Sequence, residues 1–236
     1  MRTFRFDIVS IFPGMFESPF ADSIIQRAWE EGLLDLRVHD LRDYSLNKHR
    51  KVDDTPFGGG VGMVMNVEPI ARVIAAIKKE VPETRTILLS PGGRPFDQEK
   101  AWELSRLPSL TLICGRYEGI DERVRLHFVD EEISIGDYVL TGGEIPAMVL
   151  VEAISRLVPG VLGDPESVVE ESFTDGLLEY PQYTRPRDYQ GFKATEILVS
   201  GDHKKIRDWQ KAEALKKTAR VRPDLLKKNK QQDKGS

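Results

Sequence analysis

Cysteine is nearly absent from this chain. Cys114 stands alone among 236 residues, so no disulfide can close within the chain, and a lone thiol fits a reducing compartment. The four histidines, His39, His49, His127 and His203, are scattered, and none forms a ligand pair with Cys114, so no structural zinc is expected. No apolar run is long enough to span a bilayer. The N-terminus also lacks the charged-then-apolar order of a signal peptide, so a cytoplasmic protein with no membrane partner is expected. G-x-G-x-x-G and G-x-x-x-x-G-K-[ST] are both missing, which excludes the two common phosphate loops. A dinucleotide-binding dehydrogenase is disfavoured with them and stands as a third option, because FRFDIVSIFPGMF carries no first-turn fingerprint. Global basic character is missing too: 34 Lys and Arg face 38 Asp and Glu, a net charge of −4.

What is present is a globular composition, 40% hydrophobic and 31% charged, in a chain long enough for one large domain with an appendage. Its charge is unevenly spread. From Lys193 onward 13 Lys and Arg outnumber 6 Asp and Glu, so a basic end follows an acidic body. That asymmetry suits a polyanion-facing module, although charge alone slightly favours a solvated lysine-rich tail.

Hydrophobic periodicity predicts strands at FRFDIVSIF (4–12), LLDLRVHDL (33–41), RTILLS (85–90), LTLIC (110–114) and within VDEEISIG (129–136). Helical patterns fall between them, at 18–31 ending on Gly32, about 67–80, about 97–107, about 120–127 and 143–157. Pro146 sits in the first turn of the last of these, where its missing N–H costs little. Alternating strands and helices imply an α/β fold with a mostly parallel sheet covered on both faces. Residues 158–176 read as a linker. Beyond it, 180–191 is extended and aromatic, and 200–228 is helical, interrupted at Pro223, with Ile206, Trp209 and Leu215 near one face.

Glycine clusters fall just after three successive strands: Ser90-Pro91-Gly92-Gly93, Gly115-Arg116-Tyr117-Glu118-Gly119, and Ser134-Ile135-Gly136 continuing to Thr141-Gly142-Gly143. Ligands of open parallel sheets bind beyond the carboxyl ends of the strands. Glycine there permits positive φ and a close backbone approach. A single such loop reads as a tight turn, but three at equivalent positions read as a site. No Lys or Arg lies within 134–148, so a flat uncharged heterocycle held by backbone groups is a better occupant than a triphosphate. The loop HRKVDDTPFGGGVGM (49–63) is either a flexible hinge or, with Arg50 and Lys51, a nucleotide wrap.

VDDTPFGGGVGM, ILLSPGGRPFDQ, ICGRYEGIDERV, SIGDYVLTGGEIPAM, SRLVPGVLG and SF…GLLEYPQYTRP, in this order, resemble the bacterial tRNA (guanine-N1)-methyltransferases of the SPOUT class up to about residue 226. The resemblance implies a trefoil knot in the C-terminal part of the α/β domain, a threading that general topology rules would not propose. It divides the chain into a knotted catalytic domain (1–160), a flexible linker (161–175) and a small helical tRNA-binding domain (176–236). It also implies a homodimer whose active sites are shared between chains. The knot loops would bind S-adenosylmethionine through Leu88, Leu89, Ser90, Pro91, Gly115, Tyr117, Glu118, Gly119, Ser134, Ile135, Gly136, Tyr138, Leu140, Gly142, Gly143 and Pro146. Mg²⁺ is associated with the family, but no motif assigns its ligands.

The implied reaction methylates N1 of the guanine 3′ of the anticodon. In the family the general base is an aspartate of the linker, preceded by an arginine at a helix end. Arg156 in SRLVPGVLG matches the arginine. At the base position this chain departs, with Glu170-Glu171-Ser172-Phe173 where the family has an Asp before Ser-Phe. Glu171 aligns with the aspartate, adding one methylene, and Glu170 and Asp175 are weaker candidates. Without the resemblance, the two glutamates read as a solvated acidic linker, and Arg156 as a surface cation at a helix C-terminus. Glu118 and Asp137 either face the sulfonium or coordinate a cation, or else satisfy loop amides. Tyr117 and Tyr138 pack either on the cofactor or in the core, Cys114 is expected as an inert core thiol, and Trp209 as a helix anchor. Two readings compete: a ribose 2′-O-methyltransferase of the same class, and a non-catalytic RNA-binding protein.

Overall fold

The computed structural model of the chain describes residues 3–163 and 171–232. The chain forms two compact units, Met1–Gly163 and Asp164–Ser236. Among the described residues no helix is long and apolar enough to cross a membrane.

Five parallel strands build the first unit: β1 (Phe4–Ser10), β2 (Leu34–Asp40), β5 (Arg85–Pro95), β6 (Ser109–Cys114) and β7 (Glu131–Ser134), in the spatial order β2-β1-β6-β5-β7. The two short strands between them, β3 (Asp53–Asp54) and β4 (Val64–Met65), pair antiparallel. The central strands are buried on both faces, as in a doubly covered parallel sheet, although Asp7, Thr86 and Thr111 are polar. Val9, Ile113 and Leu88 pack against α3 (Val67–Glu80) and α5 (Glu122–His127) through Ile70, Val73, Ile74, Ile77 and Val124. The alternate residues Phe6, Ile8, Leu110 and Leu112 are equally buried. The helix α6 (Glu144–Ser155) packs on β1 and β6 and on α4 (Gln98–Ser105), burying Ala147, Leu150, Val151 and Ile154.

Three local expectations change. The helix expected over 18–31 is broken into α1 (Glu17–Phe20) and α2 (Ser23–Glu30), because the Asp22 carboxylate accepts from the Ser23 N–H and starts a new helix. The second piece does end at Gly32, whose φ of 71° allows Gly32 N–H to donate to Trp29 and Leu33 N–H to Ala28. The segment SPGGRP, read as a turn after a strand, belongs to β5 itself. Leu89 and Arg94 both register with Ile133, so residues 90–93 bulge outward between them. Gly93 allows this, since a Cβ there would lie 2.4 Å from the Ile133 nitrogen. Finally, the long 42–62 loop contains structure: a 3₁₀ turn at Leu41–Tyr44 and the β3 arm of the β3–β4 pair.

The second unit carries a short hairpin, β8 (Asp188–Tyr189) with β9 (Phe192–Lys193), followed by α7 (His203–Val221) and α8 (Pro223–Gln232). On α7 the buried positions are Ala214 and Thr218, while Leu215, expected inward, is 51% exposed. The Thr218 hydroxyl donates to Ala214 O and accepts from Leu178 N–H, tying the helix to the chain before it. Trp209 is partly buried and lies 6.4 Å from the Tyr183 ring, consistent with an anchoring role.

Candidate active site

The carboxyl ends of β5, β6 and β7 and the N-terminus of α6 surround a cleft of about 420 Å³. That is within the range of about 300–1,000 Å³ typical of small-molecule sites. All sixteen residues expected to touch a cofactor line it, from Leu88 to Pro91, through Gly115, Tyr117, Glu118 and Gly119, to Ser134, Ile135, Gly136, Tyr138, Leu140, Gly142, Gly143 and Pro146. The sheet therefore gathers the three glycine loops into one wall. Tyr117 and Tyr138 are about half exposed there rather than packed in the core. Tyr117 adopts φ 61°, a left-handed conformation that costs a non-glycine residue energy and is retained at the cleft.

A buried ionic cluster holds the loops in place. Glu144, the first residue of α6, has no exposed surface. Its carboxylate accepts from Ser10 Oγ at 2.7 Å and from Arg116 Nε at 2.8 Å. The same guanidinium donates to Thr141 O at 3.2 Å and stacks 4.7 Å over the Phe12 ring. Arg116 thus joins the end of β1, the 115–119 loop and the 141–143 loop. Gly142 makes room for it, and Gly143 makes room for the backbone of the 114–115 segment. A Cβ at Gly142 would lie 2.1 Å from Arg116 Nε, and one at Gly143 would lie 2.7 Å from Cys114 Cα. Gly143 N–H donates to Gly115 O at 2.8 Å, closing the seam between two loops. Cys114 itself is fully buried, and burial pushes its thiol well above the ordinary range, as suits an inert core residue.

The glycine-rich 55–62 loop contributes nothing to the lining among the described residues. Its base, however, is laced to the cleft wall. Glu118 N–H donates to Met63 O, Met65 N–H to Gly119 O and Asp121 N–H to Met65 O, at 2.9–3.0 Å. Its tip stands in solvent, with Phe57 98% exposed. Glu118 leans against Gly62, where a Cβ would meet its side chain at 2.4 Å.

Sequence reasoning missed several lining residues. Ile133 directly precedes the named Ser134, while Arg116 and Thr141 lie within the glycine loops it had named but were not singled out as contacts. Glu132, Glu122 and Arg125 were also missed. Glu132 accepts from the Ser90 hydroxyl across the β5–β7 seam, and only the knowledge that these strands pair could have placed it there.

Arg156 lies elsewhere. It caps the C-terminus of α6 and is partly buried. Ten residues separate it from Pro146, about 15 Å along the helix axis. Glu171 belongs to the second unit, in a compact turn where Thr174 N–H donates to Glu171 O and Glu179 N–H to Ser172 Oγ. Asp175 lies in the same turn, and Glu170 falls outside the described residues. Among the described residues no group of three or more His, Cys, Asp or Glu could hold a metal ion.

Comparison with known proteins matches residues 4–228 to the family described as tRNA (guanine-1)-methyltransferase TrmD. A tRNA (guanine-N(1)-)-methyltransferase of Dictyoglomus turgidum is 59% identical over 95% of this chain and 90% of its own length. Similarly named proteins of Citrifermentans bemidjiense and Limosilactobacillus fermentum are 55% and 53% identical over 94% of this chain, and the match covers 89% and 90% of their own lengths. With six sequence motifs in order, a cleft built from three of them and a match across nearly the whole length, the chain belongs to the tRNA (guanine-1)-methyltransferase family.

Proposed function

We propose that this protein transfers a methyl group from S-adenosylmethionine to N1 of the guanine 3′ of the anticodon in tRNA. Family membership over residues 4–228 carries the reading, and the convergence of three glycine loops on one cleft supports it. The cleft fits a bent nucleoside. Leu88, Leu89, Ile135, Leu140 and Pro146 offer apolar walls for a flat heterocycle. Between them the main chain comes to the cleft wall at Gly115, Gly119 and Gly136, which bring no side chain of their own. When bound there, the cofactor would supply an activated methyl group on a sulfonium.

The protein's own task is the acceptor. Guanine N1 carries a proton near neutral pH and is a poor nucleophile until a base removes it, a step worth about 10²–10⁴ in rate. Glu171 is the proposed base. Negative charge then develops on O6, and the Arg156 guanidinium is the proposed group that stabilises it. Arg156 lies about 15 Å along α6 from the cleft-lining Pro146, and this favours a dimer in which one chain's Arg156 serves its partner's cleft. The remaining parts of the reading rest on the family: a trefoil knot in the catalytic domain (1–160), a linker (161–175), a helical tRNA-binding domain (176–236), a cytoplasmic location and an association with Mg²⁺.

Product mapping tests this directly. Unmodified tRNA is incubated with S-adenosylmethionine and the protein, then digested and analysed by mass spectrometry. Methyl on guanine N1 beside the anticodon is the expected result, whereas methyl on a ribose would overturn the mechanism. In the same assay Glu171→Gln should abolish turnover while sparing cofactor binding, and Arg156→Ala should cut turnover strongly. Near wild-type turnover in either variant removes that residue from its role.

A further inference from the structure

The β8–β9 hairpin of the second unit holds two aromatic rings out into water. Tyr189 and Phe192 are direct cross-strand partners, 61% and 78% exposed. Partners in an antiparallel pair project from the same face, with Cβ atoms about 4.5–5.5 Å apart. The turn between them is tight and specified. Gln190 and Gly191 both have positive φ, 54° and 87°, as a two-residue type I′ hairpin requires. Asp188 Oδ1 accepts from Gly191 N–H at 2.8 Å, and Ala194 N–H donates to Arg187 O at 2.8 Å, extending the ladder by one pair. By strand alternation Arg187 shares the face of Tyr189 and Phe192. Its side chain is 61% exposed and only loosely paired with Glu196, at 3.8 Å.

We propose that this face is a stacking platform for unpaired bases of the RNA substrate, with Arg187 neutralising an adjacent phosphate. The inference rests on the tRNA-binding reading of the second unit and adds the residues that touch the RNA. A buried core would cover two such rings, and here a rigid turn holds them apart from it. The occupant must offer flat π faces, since exposed rings recognise area and stacking, with the Tyr189 hydroxyl as a polar handle at the edge. It must also be anionic, because Lys193 onward carries 13 Lys and Arg against 6 Asp and Glu, with Arg185 and Arg187 just upstream. A single-stranded loop of RNA has both properties, and aromatic side chains stacked on its bases under a cationic surface are a general solution for holding it.

The test uses the full-length protein and unmodified tRNA, with dissociation constants from fluorescence anisotropy. Tyr189→Ala and Phe192→Ala should each weaken tRNA binding about 5- to 150-fold. The KM for tRNA should rise while turnover at saturating tRNA and cofactor affinity stay unchanged. Tyr189→Trp, which keeps a π face, should restore binding, and Arg187→Ala should lower the salt slope of binding by about one. Wild-type tRNA affinity in the double alanine variant overturns the proposal. So does a change in oligomeric mass with tRNA affinity intact, which would make the face a protein interface. Binding is read without chemistry, so the two readings fail separately. A wild-type protein that binds tRNA but leaves guanine unmethylated sinks the proposed function only. Confirmed N1 methylation with unchanged affinities in the variants sinks the platform only.

Discussion

Glu144 places a carboxylate where water cannot reach, and Arg116 is the cation that compensates it. Removing one member of such a pair leaves an uncompensated buried charge, at a typical cost of about 3–5 kcal/mol. Arg116→Ala should therefore lower the urea midpoint strongly and loosen the 141–143 loop, weakening cofactor binding as well. Glu144→Gln keeps the shape and one acceptor oxygen and leaves its uncompensated charge on Arg116, which still reaches solvent, so it should be milder. A stability loss below about 1 kcal/mol in Arg116→Ala would show that the cluster is not what holds the loops. At this scale the sequence was legible where glycine spoke for itself. Gly142 and Gly143 announced a close approach, but the approaching groups, Arg116 and the Cys114 backbone, lie more than 25 positions away in the chain. Ser10 and Glu144 are 134 positions apart, and no local pattern links them.

Elements were read best where periodicity was strong, as in α3 and the central strands, and worst where one polar atom decided the outcome. Asp22 restarts a helix that its apolar spacing continues, and residues 90–93 leave a strand only in part, because β7 resumes pairing at Arg94. A second polar centre joins β1, β2 and the end of α3. Asp7 on β1 has no exposed side chain, accepts from Arg5 Nε at 2.7 Å, and lies 2.8 Å from His39 Nε2 on β2, while Glu80 of α3 pairs with Arg5 and Arg37. Burial alone would push the Asp7 carboxyl up, but the contacts with His39 and Arg5 outweigh it and hold the carboxyl below its ordinary value. A carboxylate lowered in the folded state stabilises the protein above its unfolded pKa of about 3.9, and that contribution is lost as pH falls through the folded value. Asp7→Asn should accordingly lower stability at pH 7 and flatten the loss of stability below about pH 4. Unfolding curves with unchanged acid dependence would assign that loss to other carboxylates.

For the whole molecule, the cleft belongs to the first unit and Glu171 to the second, while Arg156 lies at the far end of α6 from the cleft-lining Pro146. A shared site makes a specific demand on mixed dimers. A chain with Arg156→Ala and a chain with a blocked cleft, such as Ile135→Trp, should each be inactive alone. Co-expressed, they should regain activity, because one intact cleft then meets one intact Arg156. No recovery from a verified mixed dimer would place both in one chain. In the sequence, the proposed assembly rests on the family resemblance alone, since nothing in composition or periodicity reports a second copy. The sheet order has a consequence in time. Strand β1 is flanked by β2 on one edge and by β6 on the other, and β6 begins about 100 positions after β1 ends. At about 5–20 residues per second of synthesis, β1 waits roughly 5–20 s with one edge unpaired. During that interval an apolar strand lies open to any passing partner, so the nascent chain is most exposed to aggregation before its central strand has been made.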